Sequence, residues 1–450
     1  SDFFVPSNVK LIGEKGTVVR RSAENQWTIK NSEDTASPDK GWLEISGITF
    51  ERGGVFPGVN PVRLTDCVFT NCVNGENGAV CLYTNAVVVG CGFYDCQMAI
   101  KAVGSNSRPI SFWATNSVFR GNRNAVASGG RQFSAAAALG SCMSTVFSLC
   151  RFEKNWSANQ NSAFGILSGS SMTLDRCQFV DNVCTGDLNL IQLGYAKKCT
   201  LVNTLFLRNR VVGENDGKST LYAALIGDGN LADKSIIGCA FLSNVVDRTE
   251  AATSARTQAL PCSILWRNGT YKDFRYNYFE GNSVKAVAAN PEIRPICSIV
   301  SIINGNSNYS MEGNTFYGNT AEDGTIYVAG GTGGIWIWNS LFSGTGAANN
   351  PITFASDDVT SKVYYRFSVA PVQNEARIVR DDTCKAGPVA FGDRLIEVDG
   401  LIVRPIADAP AARTNPVRWY YTANDRKTYY NESKKTYLNM AGDASDSYLI

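Results

Sequence analysis

The sequence predicts an all-β chain built as a solenoid of about 11 coils, with a small irregular β appendage at its C-terminal end. Three observations predict it. A Phe-x-x-Asn pattern recurs, as in Phe152-Glu153-Lys154-Asn155, Phe179-Val180-Asp181-Asn182 and Phe206-Leu207-Arg208-Asn209. The Phe positions from Phe50 to Phe342 follow one another in steps of 19 to 38 residues, about 29 on average, a period of solenoid size. Between them lie short runs rich in Val, Ile and Thr and bounded by Gly and Asn, which read as strands.

The copies run in order through Phe69, Phe93, Phe119, Phe152, Phe179, Phe206, Phe241, Phe279 and Phe316, with Phe50 and Phe342 as a first and a degenerate last copy. An alternating run leads into each Phe, such as Ala86-Val87-Val88-Val89 or Gly334-Ile335-Trp336-Ile337-Trp338. A second short run follows the turn, as in Gly324-Thr325-Ile326-Tyr327-Val328. Two or three strands per repeat cannot bury a face alone. Stacked coil on coil they form parallel sheets around one core. Equivalent residues then lie ~4.8 Å apart, so the Phe side chains form an internal aromatic ladder and the Asn amides can bond along a column. Eleven Phe positions give a rod section of roughly 50 Å.

These repeats, with Gly-Ala-Val or Gly-Thr-Ile strands after them, resemble the repeat of chlamydial polymorphic outer membrane proteins. The opening Val5-Pro6-Ser7-Asn8-Val9-Lys10-Leu11-Ile12-Gly13 and Leu43-Glu44-Ile45-Ser46-Gly47-Ile48-Thr49-Phe50 resemble the first coils of right-handed parallel β-helix proteins. The resemblance covers residues 5 to 356 and implies a right-handed parallel β-helix. The proteins it points to include adhesins, surface and filament proteins, and polysaccharide lyases and hydrolases. In this reading Asp95 stands where the pattern has Asn.

The β-helix is expected over 1–356 and a C-terminal β cap or appendage over 357–450. Residues 1–45 supply the N-terminal coil or cap. Longer excursions at 104–111, 128–145, 213–220, 247–261 and 284–295 read as loops on one flank, and Gly129 to Gly140 as a short helix or a flexible loop. After Phe354 strand-like runs are broken by prolines, and a Tyr-rich tail from Lys427 ends in Tyr448-Leu449-Ile450.

Net charge is +2, from 42 basic and 40 acidic residues, with no basic run, which argues against nucleic acid as a partner. No apolar run approaches the ~18 residues of a membrane span. The first residue is Ser1, read as the start of a mature chain whose leader is gone. Fourteen cysteines without Cys-x-x-Cys spacing, and no histidine, argue against a zinc site and for an oxidising, extracellular or cell-surface setting. Cys67, Cys91, Cys150, Cys177 and Cys239 each lie two residues before a repeat Phe, and Cys72 and Cys96 three after one. Stacked cysteines are either small buried hydrophobes or coil-to-coil disulfides, with Cys72 and Cys96 the disulfide candidates.

The missing histidine excludes Ser-His-Asp, Cys-His and His-metal chemistry. A polygalacturonase-like Gly-His-Gly and Asn-Thr-Asp are absent. Pectate-lyase-like chemistry needs carboxylates for Ca²⁺ and an Arg or Lys base, for which Asp357 and Asp358 (metal) and Arg380, Asp381 and Asp382 (catalysis) are the compact candidates. Sequons offer Asn268, Asn308 and Asn431 as glycosylation candidates, while an inward Asn155 could carry no glycan. No cofactor is expected. The reading is a secreted or cell-surface structural or adhesive protein, a subunit of an extracellular filament associating head to tail, in contact with glycans or other surface proteins. A Ca-dependent lyase or a non-catalytic carbohydrate-binding protein is the alternative.

Overall fold

The computed structural model describes residues 3–387 except for parts of the connecting loops, the longest being 31–40, 125–133, 213–223, 249–260 and 288–295; beyond 387 it describes only short strands. The chain is an all-β parallel β-helix. Three sheets of 13, 14 and 14 strands run its length, and a fourth of 7 strands joins them from Arg123–Asn124 to Thr320–Ala321. One coil visits the sheets in turn: Ala224–Gly227, Asp233–Ile237, Ala240–Leu242 and Val245–Arg248. All pairing between coils is parallel, with like residues in register, as in Phe179↔Phe206 and Phe206↔Phe241.

Two bends per coil set this register. The third-sheet strand is only three residues long, and a residue of positive φ stands on each side of it. Arg176 (φ 50) and Asp181 (φ 54) flank Phe179, and Asn203 (φ 49) and Arg208 (φ 50) flank Phe206. Asp and Asn tolerate this conformation best; Arg, Lys154 and Leu149 adopt it at a cost that the packed coil sustains. At Gly121 (φ 67) a Cβ would lie 2.3 Å from Asp95 Oδ1, so that carboxylate would have to turn aside for any other residue.

The residue after each bend points inward. The second bend is followed by Cys72, Cys96, Asn122, Asn155, Asn182, Asn209, Asn244, Asn282 and Asn319, all 0–1% exposed. The first is followed by Cys67, Cys91, Ser117, Cys150, Cys177, Thr204, Cys239, Asn277 and Asn314, each five positions earlier. Asp95 is therefore not the Asn of its repeat. It is the bend residue (φ 53), and Cys96 holds the Asn place.

In the Asn column each Nδ2 donates to the next Asn Oδ1 at 2.8–2.9 Å, from Asn122 through Asn282. It also donates to the carbonyl of the Phe one coil earlier, as Asn182 does to Phe152 at 2.9 Å. Each Oδ1 accepts a second bond from the preceding Asn main-chain N–H, as from Asn155 to Asn182 at 3.0 Å. Every donor and acceptor of such an amide is used, so its burial costs little.

Beside this column the eleven Phe rings stack in ten successive contacts, with centroids 4.4–5.2 Å apart and planes within 16°. The coils outnumber the Phe positions. Val19 pairs with Phe50 at one end of the third sheet, and Ala370 and Ala386 continue the column beyond Phe342 at the other, so small apolar residues hide three coils from a search for Phe.

Two further expectations differ. Residues 134–140 are neither helix nor loop: Ser134–Gly140 is a wholly buried strand whose Ala137 to Gly140 pair with Ile100–Val103. The parallel sheets also run past 356. Lys362–Arg366 pairs with Gly334–Trp338, and Ile378–Arg380 and Lys385–Gly387 stack after it, because Val363, Tyr365 and Ala370 keep the inward apolar positions. Among the described residues beyond them, Ile396–Val398 and Leu401–Val403 pair antiparallel.

Candidate functional site

Arg380 ends the strand Ile378–Arg380, and its Nη1 donates to the Ala370 carbonyl at 2.9 Å. The Asp381 carboxylate pairs with Arg366 Nε at 2.9 Å and accepts from the Cys384 thiol at 3.5 Å. Asp382 is exposed. These groups tie the last coils together rather than converge on a shared point. Asp357 and Asp358 lie outside the described residues. Among the described residues no group of three or more Cys, Asp or Glu is placed to hold a metal.

Cys72 and Cys96 are stacked in adjacent coils, buried, and free thiols in the structure. Cys96 Sγ donates towards the Tyr94 and Phe69 carbonyls at 3.4 and 3.7 Å. Burial, then the neighbouring Cys72, pushes the Cys96 thiol well above its ordinary pKa. Thirteen of the fourteen cysteines are buried, so the Cys columns are packed inside the coils. Asn268 ends the strand Pro261–Asn268 and Asn431 lies in Tyr430–Asn431, with side chains outside the description; Asn308 is outside it altogether. Asn155 is 0% exposed and belongs to the amide ladder.

A surface that the sequence reading did not single out lies on the outer face of the second sheet, near its C-terminal end. In Gly334–Trp338 the alternation turns Ile335 and Ile337 inward and Trp336 and Trp338 outward. Register sets Trp336 between Ser310 of the preceding coil and Tyr364 of the following one. Trp336 and Tyr364 stack at 4.2 Å with planes 13° apart. Rings so close on strands ~4.8 Å apart must lie face to face, with their normals along the rod. One face of Trp336 is thus covered, yet the residue is 37% exposed. The exposure belongs to its edge and to the opposite face, which looks over exposed Ser310.

Charged groups border this opening. Arg275 is in register with Glu312, and Asp273 and Ser310 each stand two positions upstream on those strands. Asp273 is paired with Arg275 Nη2 at 2.6 Å and accepts from Ser235 Oγ at 3.5 Å. The Tyr276 hydroxyl donates to Glu312 at 3.5 Å. Trp338 sits beside Trp336 with centroids 6.4 Å apart, and the Arg366 guanidinium lies 5.2 Å over it. A flat aromatic face, a hydroxyl and a carboxylate–guanidinium pair therefore share one shallow notch on rigid strands.

The two ends of the rod differ. In the first coils a cavity of about 610 Å³ is lined by Leu11, Val19, Ile29 and Phe50, together with Arg20 and Arg21. Ile12 and Val18 beside it are 68% and 52% exposed. At the other end the Gln373 amide closes the first sheet, donating to the Ile352 carbonyl at 2.8 Å and accepting from its N–H at 3.1 Å. Among the described residues no helix is long and apolar enough to cross a membrane.

No family model and no curated protein sequence matches the chain. Among solved structures it is similar to tailspike protein 3 of bacteriophage CBA120, at 11% identity and a TM-score of 0.31, over 98% of this chain and 62% of that one. It thus spans about three fifths of the tailspike's length. It is also similar to PfbA, a surface adhesin of Streptococcus pneumoniae (11%, TM-score 0.28, 94% and 88% covered), and to the PL6 family alginate lyase AlyGC (10%, 0.25, 86% and 76%). The overlays are too loose to carry a residue from any of these proteins to this one.

Proposed function

We propose that this chain is a structural and adhesive β-helix of a cell surface or extracellular filament, a stiff rod that displays binding faces and associates end to end. The observation that carries this reading is the continuous internal scaffold. The Asn amides are bonded from Asn122 to Asn319 and the Phe rings are stacked from Phe50 to Phe342. Each coil is held by its neighbours on both sides, which favours a rod that keeps its shape under load over an enzyme with moving parts. Arg380, Asp381 and Asp382 serve as coil ties and a turn, so among the described residues no base is positioned over a carboxylate cluster.

The end-on contact is placed at the first coils, where the apolar cavity lined by Leu11, Val19, Ile29 and Phe50 suits an added segment. A contact between unlike ends does not close, so it builds a filament. The Tyr-rich tail is the segment proposed to enter this cavity in a neighbour.

Sedimentation tests the assembly, with full-length protein expected to polymerise and protein truncated after Ala423 to remain a folded monomer. A full-length monomer at high concentration, or polymer from the truncated chain, removes it. Immunolocalisation in the source cells tests the setting, and an interior location would overturn the surface reading.

A further inference from the structure

We propose that the notch over Ser310, walled by Trp336, binds one neutral pyranose unit of a glycan chain. The inference rests on the surface reading only for where such a glycan is met. The site stands on its own geometry.

Tyr364 covers one face of Trp336 and fixes the ring at right angles to the sheet. The free face looks along the rod across Ser310, whose side chain is too short to fill the gap. On the far side stand Asp273 and Arg275, with Glu312 next to Ser310 on its own strand. The gap is therefore about one coil wide, ~4.8 Å of strand spacing beyond the ring it would stack on. That admits one ring-thick group and nothing bulkier.

The wall and the rim ask for different chemistry. The indole face carries the negative part of the ring quadrupole and wants weakly positive C–H groups without large desolvation. The rim offers a hydroxyl, two carboxylates and a guanidinium, which want hydroxyl donors and acceptors in one plane. A pyranose ring satisfies both, with C–H bonds on its faces and hydroxyls around its edge. An aromatic side chain of a protein partner would stack equally well but would leave the Asp273–Arg275 pair and Glu312 facing a bare ring edge. Charge selects further. Asp273 is balanced by Arg275, and Glu312 is bonded by a neutral hydroxyl, so the rim carries a negative excess. A uronate carboxylate is repelled there and a neutral hexose is not. The floor and wall lie on strands fixed by the ladders behind them, so little ordering is lost on binding.

Calorimetric titration of the purified full chain with cellohexaose, mannohexaose and chitohexaose, and separately with an acidic polygalacturonate oligomer of the same length, tests the site. At least one neutral hexaose is expected to bind and the acidic oligomer is not. Trp336→Ala should weaken that binding tenfold or more. Ser310→Trp, which fills the notch from the surface, should abolish it with an unchanged thermal midpoint, and this variant decides the matter if Trp336→Ala folds poorly. Trp113→Ala removes an exposed tryptophan in the same outward column, between Val87 and Val146, and should change nothing. The proposal fails if no neutral hexaose binds at millimolar concentration, if binding survives Ser310→Trp, if Trp113→Ala weakens binding as much as Trp336→Ala, or if the acidic oligomer binds with the same sensitivity to these variants. None of these failures touches the cellular location, which the immunolocalisation measures separately.

Discussion

After the third-sheet Phe, the turns that follow Phe69 and Phe93 carry Cys72 and Cys96, and the next seven carry Asn. The place in the coil is the same, the bend before it is the same, and both side chains are buried. The bonding is not. A thiol fills the volume and points one weak donor at a carbonyl, as Cys96 does to Phe69 at 3.7 Å. An amide in that place donates to the same kind of carbonyl at about 2.9 Å and also ties two coils through its oxygen. The position therefore selects for a small side chain that can face a Phe carbonyl, and only the Asn stretch adds cohesion along the axis. Seven Asn rungs form a stiff middle, and the Cys rungs mark a segment held mainly by packing.

The deepest test of that contrast removes packing alone. Phe206 is wholly buried, stacked at 5.2 and 4.7 Å on its neighbours. Phe206→Ala should cost about 3–5 kcal/mol from lost burial and the cavity left behind. Equilibrium denaturation measures it, and a cost below about 1 kcal/mol would show the ladder to be ornamental.

Next comes the bonding. Asn182→Ala removes the donor to the Phe152 carbonyl and the donor to Asn209, and strips Asn155 of the acceptor for its N–H and its amide. Buried groups left unbonded cost ~1–3 kcal/mol each where the coil cannot relax, so a total of about 2–4 kcal/mol is expected. Cys96→Ala deletes a sulfur and one weak donor and should cost about 1 kcal/mol. Equal losses for the two variants would erase the distinction between the segments.

Titration reads the buried thiols of the core apart from its amides, because thiols ionise and amides do not. Burial pushes Cys81 and Cys142 up to about 11. Their protonated forms are favoured in the folded state over an unfolded thiol near 8.5. That stability is fully present below the unfolded value and is lost as pH rises towards 11. Thermal midpoints should hold to about pH 8.5 and then fall. The double variant Cys81→Ser and Cys142→Ser should make the fall shallower without abolishing it, because Cys91, Cys96, Cys177 and Cys297 are raised as well, and an unchanged slope would assign it to those groups.

The bends explain which parts of this fold were readable from sequence. The Phe period revealed the coils because Phe is large and nearly invariant along its column. The inward column five positions ahead of each Asn was harder to see, because it mixes Cys, Ser, Thr and Asn, from Cys67 through Ser117 and Thr204 to Asn314. The shared requirement there is size and a polar tip, not identity. The same blindness placed Asp95 in the Asn column and ended the coils at 356, where Ala370 and Ala386 replace Phe. Ser134–Gly140 escaped because an alanine run carries no period. The Trp336 notch was half legible. Alternation in Ile335-Trp336-Ile337-Trp338 puts both tryptophans outside, but the pairing of Trp336 with Ser310 and Tyr364 depends on loop lengths that vary from coil to coil.

The smallest effect is the most direct test, because it builds rather than breaks. Cys96 N–H already donates to Asn122 Oδ1 at 3.1 Å, as an Asn in that place does. Its sulfur points at the Phe69 carbonyl, the acceptor that an Asn amide there would use. Cys96→Asn should therefore extend the ladder by one rung. The new Nδ2 gains the Phe69 carbonyl and Asn122 Oδ1, and the new oxygen offers an acceptor to the Cys72 N–H one coil earlier. Cys and Asn are close in size, so little repacking is needed. A net hydrogen bond is worth ~0.5–1.5 kcal/mol, and some of that is spent in desolvating the amide. The expected gain is about 1 kcal/mol, read as a rise in the denaturation midpoint at unchanged slope. A loss of stability would mean that the first coils differ in spacing or shape from the Asn stretch, and that cysteine is there because an amide does not fit.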